Sequence, residues 1–178
     1  ESGLLRSVKN IIRNAQDGVG SGIDAAASLY GGMILYNPKH ETVKSLPVPP
    51  DILVLSSGVK TPTADVVRHV NTQKAPDSLF QEMIRITSES AKHAEQKNWS
   101  LFGKSMLAYQ DCMKILRLNT KRLDELQALL CKTDGVFGSK IAGAGLGDSV
   151  IGICAQGTSE AFGSHPARVD VEPFRHAA

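Results

Sequence analysis

The chain has 178 residues and a mass of 19.1 kDa, a length that fits one domain of ordinary size and is too short for a long multidomain enzyme. Hydrophobic residues at 42% and charged residues at 21% place it among globular chains that can bury a sizeable core. A net charge of +2 lacks the basic excess of a nucleic-acid binder, and aromatic residues at 5% argue against a stacking platform for single strands.

The elements follow in chain order. Leu4, Leu5, Val8, Ile11, Ile12 and Ala15 recur at spacings of three and four, with Arg6, Lys9, Asn10 and Arg13 between them, so an amphipathic helix is expected almost from the first residue. A glycine-rich loop over 16–24 leads into a short helix of small residues, Ala25 to Ser28. Gly31 and Gly32 end it, Met33 to Tyr36 reads as a strand, Asn37-Pro38 begins a turn, and Thr42 to Leu46 is its candidate partner. Pro47, Pro49 and Pro50 read as a turn between strands rather than a domain boundary. The run Asp51 to Ser56 is apolar on both faces, as a central strand is. Thr61 is a candidate helix cap with Pro62 at the first helical position. Four helices are expected at about 62–72, 77–97, 99–117 and 120–132, the last opening with Thr120 near its cap. Strands at Phe137 to Ala142 and Ser149 to Ala155 flank a second glycine loop, and Arg168 to Glu172 alternates as an edge strand does. A block of helices between paired strands predicts an α+β fold, an antiparallel sheet with helices packed on one face.

Cysteine and histidine spacing narrow the chemistry. Cys112, Cys131 and Cys154 are odd in number and form no CxxC pair, so buried free thiols are expected rather than a disulfide framework or a zinc site. The five histidines show no HxxxH or HExxH spacing, and no metal site is expected. The apolar runs are too short for a membrane span and the first residues lack a signal-peptide pattern, so a soluble cytoplasmic protein with no nucleic-acid or membrane partner is expected.

Two glycine loops carry the chemical signal. In Gly18-Val19-Gly20-Ser21-Gly22-Ile23-Asp24 the chain runs into a helix start, where exposed N–H groups and the helix dipole favour an anion. Ser21 can serve as a hydrogen-bonding ligand and Asp24 falls in the first turn; a plain helix cap is the alternative. The second loop, Gly143-Ala144-Gly145-Leu146-Gly147-Asp148, is neither a Walker A loop nor a GxGxxG turn. Its backbone can border a substrate or a phosphate, or it can be a tight connection.

Together these elements resemble the GHMP small-molecule kinases. Gly-Ser-Gly-Ile-Asp at 20–24 with Gly31-Gly32, and Gly-Ser-Lys-Ile-Ala-Gly-Ala-Gly at 138–145 before a strand, carry the likeness. Ser57 to Thr63 after the central strand, and Leu-Leu-Cys-Lys-Thr-Asp-Gly at 129–135, add to it. The resemblance runs from about Ala15 to Glu172 and is nearest to the mevalonate-kinase branch. It implies a C-terminal domain of ferredoxin-like type spanning 1–178, with 1–30 a remnant of the inter-domain region. It implies ATP-dependent phosphorylation of a small-molecule hydroxyl, mevalonate preferred, with phosphomevalonate, galactose or homoserine and the decarboxylase branch as further possibilities. Asp24 matches the catalytic aspartate, Ser21, Gly22, Thr61 and Thr63 match substrate-lining positions, and Gly143, Ala144, Gly145 and Gly147 match the late glycine loop. Leu146 and Asp148 depart from the family's glycine run, and Val19-Gly20 replaces its proline. The family's phosphate loop, of the type Pro-x-x-x-Gly-Leu-Gly-Ser-Ser, does not occur in these residues. ATP and Mg²⁺ are therefore expected in the complete enzyme, not tightly on this chain alone, and an N-terminal half or self-association is the expected partner. A non-catalytic or decayed domain used for dimerisation or metabolite binding is the competing expectation.

Overall fold

The computed structural model describes residues 2–15 and 18–169. Its contacts divide the chain into two compact units, with the break between Val48 and Pro49, inside the proline segment. Strands on the two sides of that segment belong to separate sheets, so the prolines join two sheets rather than two strands of one. Proline has no N–H to give to a ladder, which suits it to such a junction.

The first unit holds helix α1 (Ser2–Ala15), helix α2 (Ile23–Tyr30) and a hairpin of β1 (Met33–Asn37) and β2 (Thr42–Leu46). The strands are antiparallel, with Met33 opposite Leu46 and Asn37 opposite Thr42. Asn37 Oδ1 accepts from the N–H groups of Lys39 and His40, which shapes the turn. Leu5, Ala25 and Ala26 form the buried centre, with Val8, Ile12, Tyr30, Ile34, Tyr36 and Val43 packed around it. The small side chains at 25 and 26 let the helix lie close to its neighbours. Helix α2 begins at Ile23 and reaches Tyr30, longer at both ends than small-residue composition alone suggests.

The second unit runs β3 (Asp51–Ser56), α3 (Thr63–Gln73), α4 (Asp77–Glu95), α5 (Trp99–Ile115), α6 (Lys121–Lys132), β4 (Val136–Ile141), β5 (Ser149–Cys154), α7 (Thr158–Phe162) and β6 (Arg168–Val169). Its sheet has the order β4-β5-β3-β6 and every pairing is antiparallel. The edge position expected for Arg168 and Val169 is found; Asp170 to Glu172 lie outside the described residues. Leu55, Val150 and Ile141 stand side by side across three strands and are fully buried. Together with Leu53 and Cys154 they meet Val66 of α3, Leu79 and Ile86 of α4, Cys112 and Met113 of α5, and Leu123, Leu126 and Leu130 of α6. The alternate residues Ile52, Val54 and Ile151 are half-buried, as the two-residue period of a strand requires when one face is the better covered.

Helix α5 closes on β4 at its backbone. A side chain on Gly103 would strike the Phe137 carbonyl, and one on Gly138 would strike Gly103. Further along, Gln110 Oε1 accepts from the Ile141 N–H at 2.8 Å, on a strand that ends the sheet among the described residues. Asn98 and Thr120 cap α5 and α6, accepting from the N–H groups of Leu101 and Leu123. Two expectations are corrected here. Pro62, not Thr61, occupies the cap position of α3, because the Thr61 hydroxyl is used elsewhere. Of the three cysteines, all free, Cys131 is exposed while Cys112 and Cys154 are buried.

Candidate functional site

Each unit carries part of the expected set. In the first, Gly22 caps α2 in a left-handed conformation, φ 84°, and Gly18 and Gly20 also have positive φ, 79° and 127°. These are conformations that glycine adopts without steric cost. Ser21 Oγ accepts from the Ile23 N–H at 3.3 Å, and Gly22 supplies the carbonyl for the Ala26 N–H at 3.0 Å. The Ser21 hydroxyl thus shapes the turn before the helix, whose cap residue is Gly22 with no side-chain cap bond. Asp24 lies in the first turn of α2 and is exposed. A carboxylate there complements the helix dipole and stays open to a ligand.

In the second unit two segments far apart in sequence are joined. Thr61 Oγ donates to the Leu146 carbonyl at 2.8 Å. The Asp148 N–H donates to the Val59 carbonyl at 2.6 Å, and the Ser57 N–H to the Asp148 carbonyl at 2.7 Å. Gly147 is needed for this contact: a Cβ there would lie 2.9 Å from the Val59 oxygen and 3.0 Å from Thr61 Oγ. Gly145 is needed twice, for a φ of 98° and for its approach to Leu118, whose carbonyl would be 2.7 Å from an added Cβ. Leu118 also accepts from the Leu146 N–H at 2.7 Å. Gly143 is exposed with φ 67° and open space around it, while Ala144 is half-buried against the core. Thr63 is exposed as the first residue of α3. Leu146 and Asp148, which stand where glycines are expected, keep left-handed φ of 60° and 64°. The loop therefore holds a glycine-type path through two residues that bear side chains.

Lys140 immediately precedes this loop on β4. Its Nζ stands 5.4 Å from the centre of the Tyr109 ring and donates to the Ile141 carbonyl. Burial among uncharged groups draws its pKa down to about 8. Burial likewise pushes the Tyr109 hydroxyl up, with Cys112 adding to it. At the start of β3, burial pushes the Asp51 carboxyl up. Hydrogen bonds from Ser159 and Ile52 and the Arg168 charge outweigh it and hold Asp51 below its ordinary value. Among the described residues no group of three or more His, Cys, Asp or Glu side chains is placed to hold a metal ion, and no helix is long and apolar enough to cross a membrane. Sequence reasoning missed Val59 and Leu118, because both contribute backbone carbonyls, which leave no mark on residue type.

Residues 90–165 match the family model described as GHMP kinases C terminal. Mevalonate kinase of Aeropyrum pernix is 27% identical over 147 residues, 79% of this chain and 45% of the relative. The crystal structure of L. major mevalonate kinase with R-mevalonate matches at a TM-score of 0.70 and 21% identity, covering 84% of this chain and 48% of that one. Streptococcus pneumoniae phosphomevalonate kinase, in complex with phosphomevalonate and AMPPNP, matches at 0.75 and 14% identity, over 90% of this chain and 56% of that one. The chain thus spans about half the length of these relatives, and it shares their fold: mixed helices and an antiparallel sheet.

Proposed function

We propose that this chain forms the C-terminal half of a cytoplasmic, mevalonate-kinase-like enzyme that transfers a phosphoryl group from ATP to a small-molecule hydroxyl, mevalonate preferred. Asp24 accepts a hydrogen bond from the reacting hydroxyl and orients it toward the phosphoryl group. Ser21 and Gly22 shape the substrate side of that loop, and Thr61 and Thr63 line the segment that approaches the substrate. Gly143, Ala144, Gly145 and Gly147 form the backbone wall behind it. Phosphoryl transfer depends on alignment and charge stabilisation more than on a strong base, so an exposed carboxylate is sufficient for the role. The reading takes ATP and Mg²⁺ from a further segment, in the same longer polypeptide or supplied as a partner. Neither is expected to bind tightly to these 178 residues alone.

The observation that carries the reading is the bond from Thr61 to the Leu146 carbonyl. It unites two motifs of the resemblance that lie 85 residues apart, a juxtaposition that a chance match of loops would not produce. The test is reconstitution with a segment carrying the phosphate loop, offering mevalonate beside phosphomevalonate, galactose and homoserine. Mevalonate phosphorylation is expected from the assembly and absent from the 178-residue chain alone. Asp24→Asn is expected to lower kcat by about a hundredfold or more; an unchanged rate would remove Asp24 from the chemistry. Phosphorylation of mevalonate by the chain alone would sink the need for a second half.

One observation favours a second reading, a non-catalytic domain used for self-association or metabolite binding. Leu146 and Asp148 fill glycine positions of the family's run, and Asp148 adds a carboxylate beside the loop. Failure of the assembly to phosphorylate any of the four alcohols would favour it.

A further inference from the structure

Helix α1 has two working faces. Leu5, Val8 and Ile12 turn into the core with Ala25 and Ala26. Arg6, Lys9 and Arg13 follow one another at spacings of three and four, so they run along one side of the helix. Each grips a part of the unit outside α1. Arg6 reaches Glu41 Oε2 through Nε at 3.2 Å and Nη2 at 3.1 Å, and Lys9 Nζ reaches Glu41 Oε1 at 3.1 Å. Arg13 Nε donates to the Gly18 carbonyl at 3.1 Å, and the Gly18 N–H returns to the Arg13 carbonyl at 2.7 Å.

Lys9 makes a second contact. A Cβ built on Gly22 would lie 2.9 Å from both Lys9 Cγ and Cδ, so the lysine stem lies flat on the glycine that caps α2. The Lys9 side chain is 12% exposed. Its ammonium is fixed by a carboxylate whose own backbone is in the left-handed region, φ 51° at Glu41. Hydrogen bonds from Lys9 first, then Arg6, hold the Glu41 carboxyl below its ordinary value.

The loop requires such a support. Three glycines with positive φ within five residues give a backbone with many accessible conformers. The aim of Asp24 depends on where α2 starts, and α2 starts at Gly22. We propose that Lys9, anchored by Glu41, is a positioning residue whose stem fixes Gly22 and thereby the aim of Asp24. This rests on the reading of Asp24 as the carboxylate that meets the reacting hydroxyl.

Hydrogen–deuterium exchange on the 178-residue chain tests the grip directly, through the amides of Ile23 and Ala26, which donate to Ser21 Oγ and the Gly22 carbonyl. Lys9→Ala is expected to speed both about tenfold, and Lys9→Arg to return them to the parent rates, while the β1–β2 hairpin amides and the thermal midpoint keep their values. Glu41→Gln, with the stem present but unanchored, is expected to speed the same two amides about threefold. Rates within about twofold of the parent in Lys9→Ala, or an equal speeding of the hairpin, overturn the proposal. So does an unchanged Glu41→Gln. In the reconstituted kinase, Lys9→Ala is expected to lower kcat about tenfold with the KM for ATP unmoved; a change confined to that KM overturns it. If the parent assembly transfers no phosphoryl group, the Asp24 reading falls, and the exchange rates still decide whether Lys9 holds Gly22.

Discussion

Leu146 and Asp148 bear the clearest local cost in the second glycine loop. A side chain in the left-handed region costs about 1–2 kcal/mol, although Asp tolerates it better than Leu, and Leu146 regains part through packing against the core. Asp148→Gly relieves strain but adds freedom to the unfolded chain, and the two terms nearly cancel. Its denaturation midpoint is expected to move by less than about 0.5 kcal/mol in equivalent stability. Gly145→Ala meets both the left-handed φ and the Leu118 carbonyl, and is expected to cost about 3 kcal/mol or more by the same measurement. Lys140 yields a prediction in pH. Its folded pKa, about 8, lies below its ordinary 10.5, so the native state disfavours its proton. Stability is lowest below pH 8 and rises as pH climbs from 8 toward 10.5. Lys140→Met should remove that rise and raise stability at pH 7 by about 1–2 kcal/mol, a range reduced because the side chain is only half-buried. Asp51 gives a slope of the same sign in an acid window, there from a favoured charge. Its depressed carboxyl contributes stability above its ordinary pKa of 3.8, lost as pH falls through the lower folded value.

At the scale of elements, the long helices were legible and the joints between them were not. Leu79, Phe80, Met83, Ile84, Thr87, Ala91 and Ala94 on α4, and Leu123, Leu126, Leu129 and Leu130 on α6, recur at helical spacing, so a periodic pattern located both helices, although Ile84 is exposed and Ile86, outside that set, is buried. The capping role of Thr120 followed from its place before that pattern. Thr61 looked the same by residue type, yet its hydroxyl goes to Leu146. Local propensity does not register a partner that arrives 85 residues later, and tertiary contact overrides it. The glycines at 143, 145 and 147 were likewise visible as a loop, but the carbonyls of Val59 and Leu118 that require two of them were not. Thr61→Val separates the two roles. It keeps the shape, removes the donor and leaves a carbonyl short of a partner, and a loss of about 1–2 kcal/mol in the denaturation midpoint is expected. Thr120→Ala, a pure cap loss, should cost about 1 kcal/mol by the same assay.

At the scale of the molecule, the two units differ in how their sheets are supported. The first rests on a two-stranded hairpin with a centre of Leu5, Ala25 and Ala26, and small hairpins are marginal unless packed. The second has four strands under a core that reaches from Leu53 to Ala167. Backbone amides of β3 and β5 are therefore expected to exchange with solvent at least about tenfold more slowly than those of β1 and β2. Equal protection in the two sheets would contradict this ranking.

The meeting of Gly103 with Gly138, and of Gln110 with the Ile141 N–H, also bears on assembly. A strand that ends a sheet normally offers its unpaired backbone to any passing chain. Here the backbone of helix α5 meets β4 at Gly138, and Gln110 takes the Ile141 N–H, so part of that edge is already engaged. A second molecule that tried to extend the sheet past β4 would find the Ile141 donor already engaged.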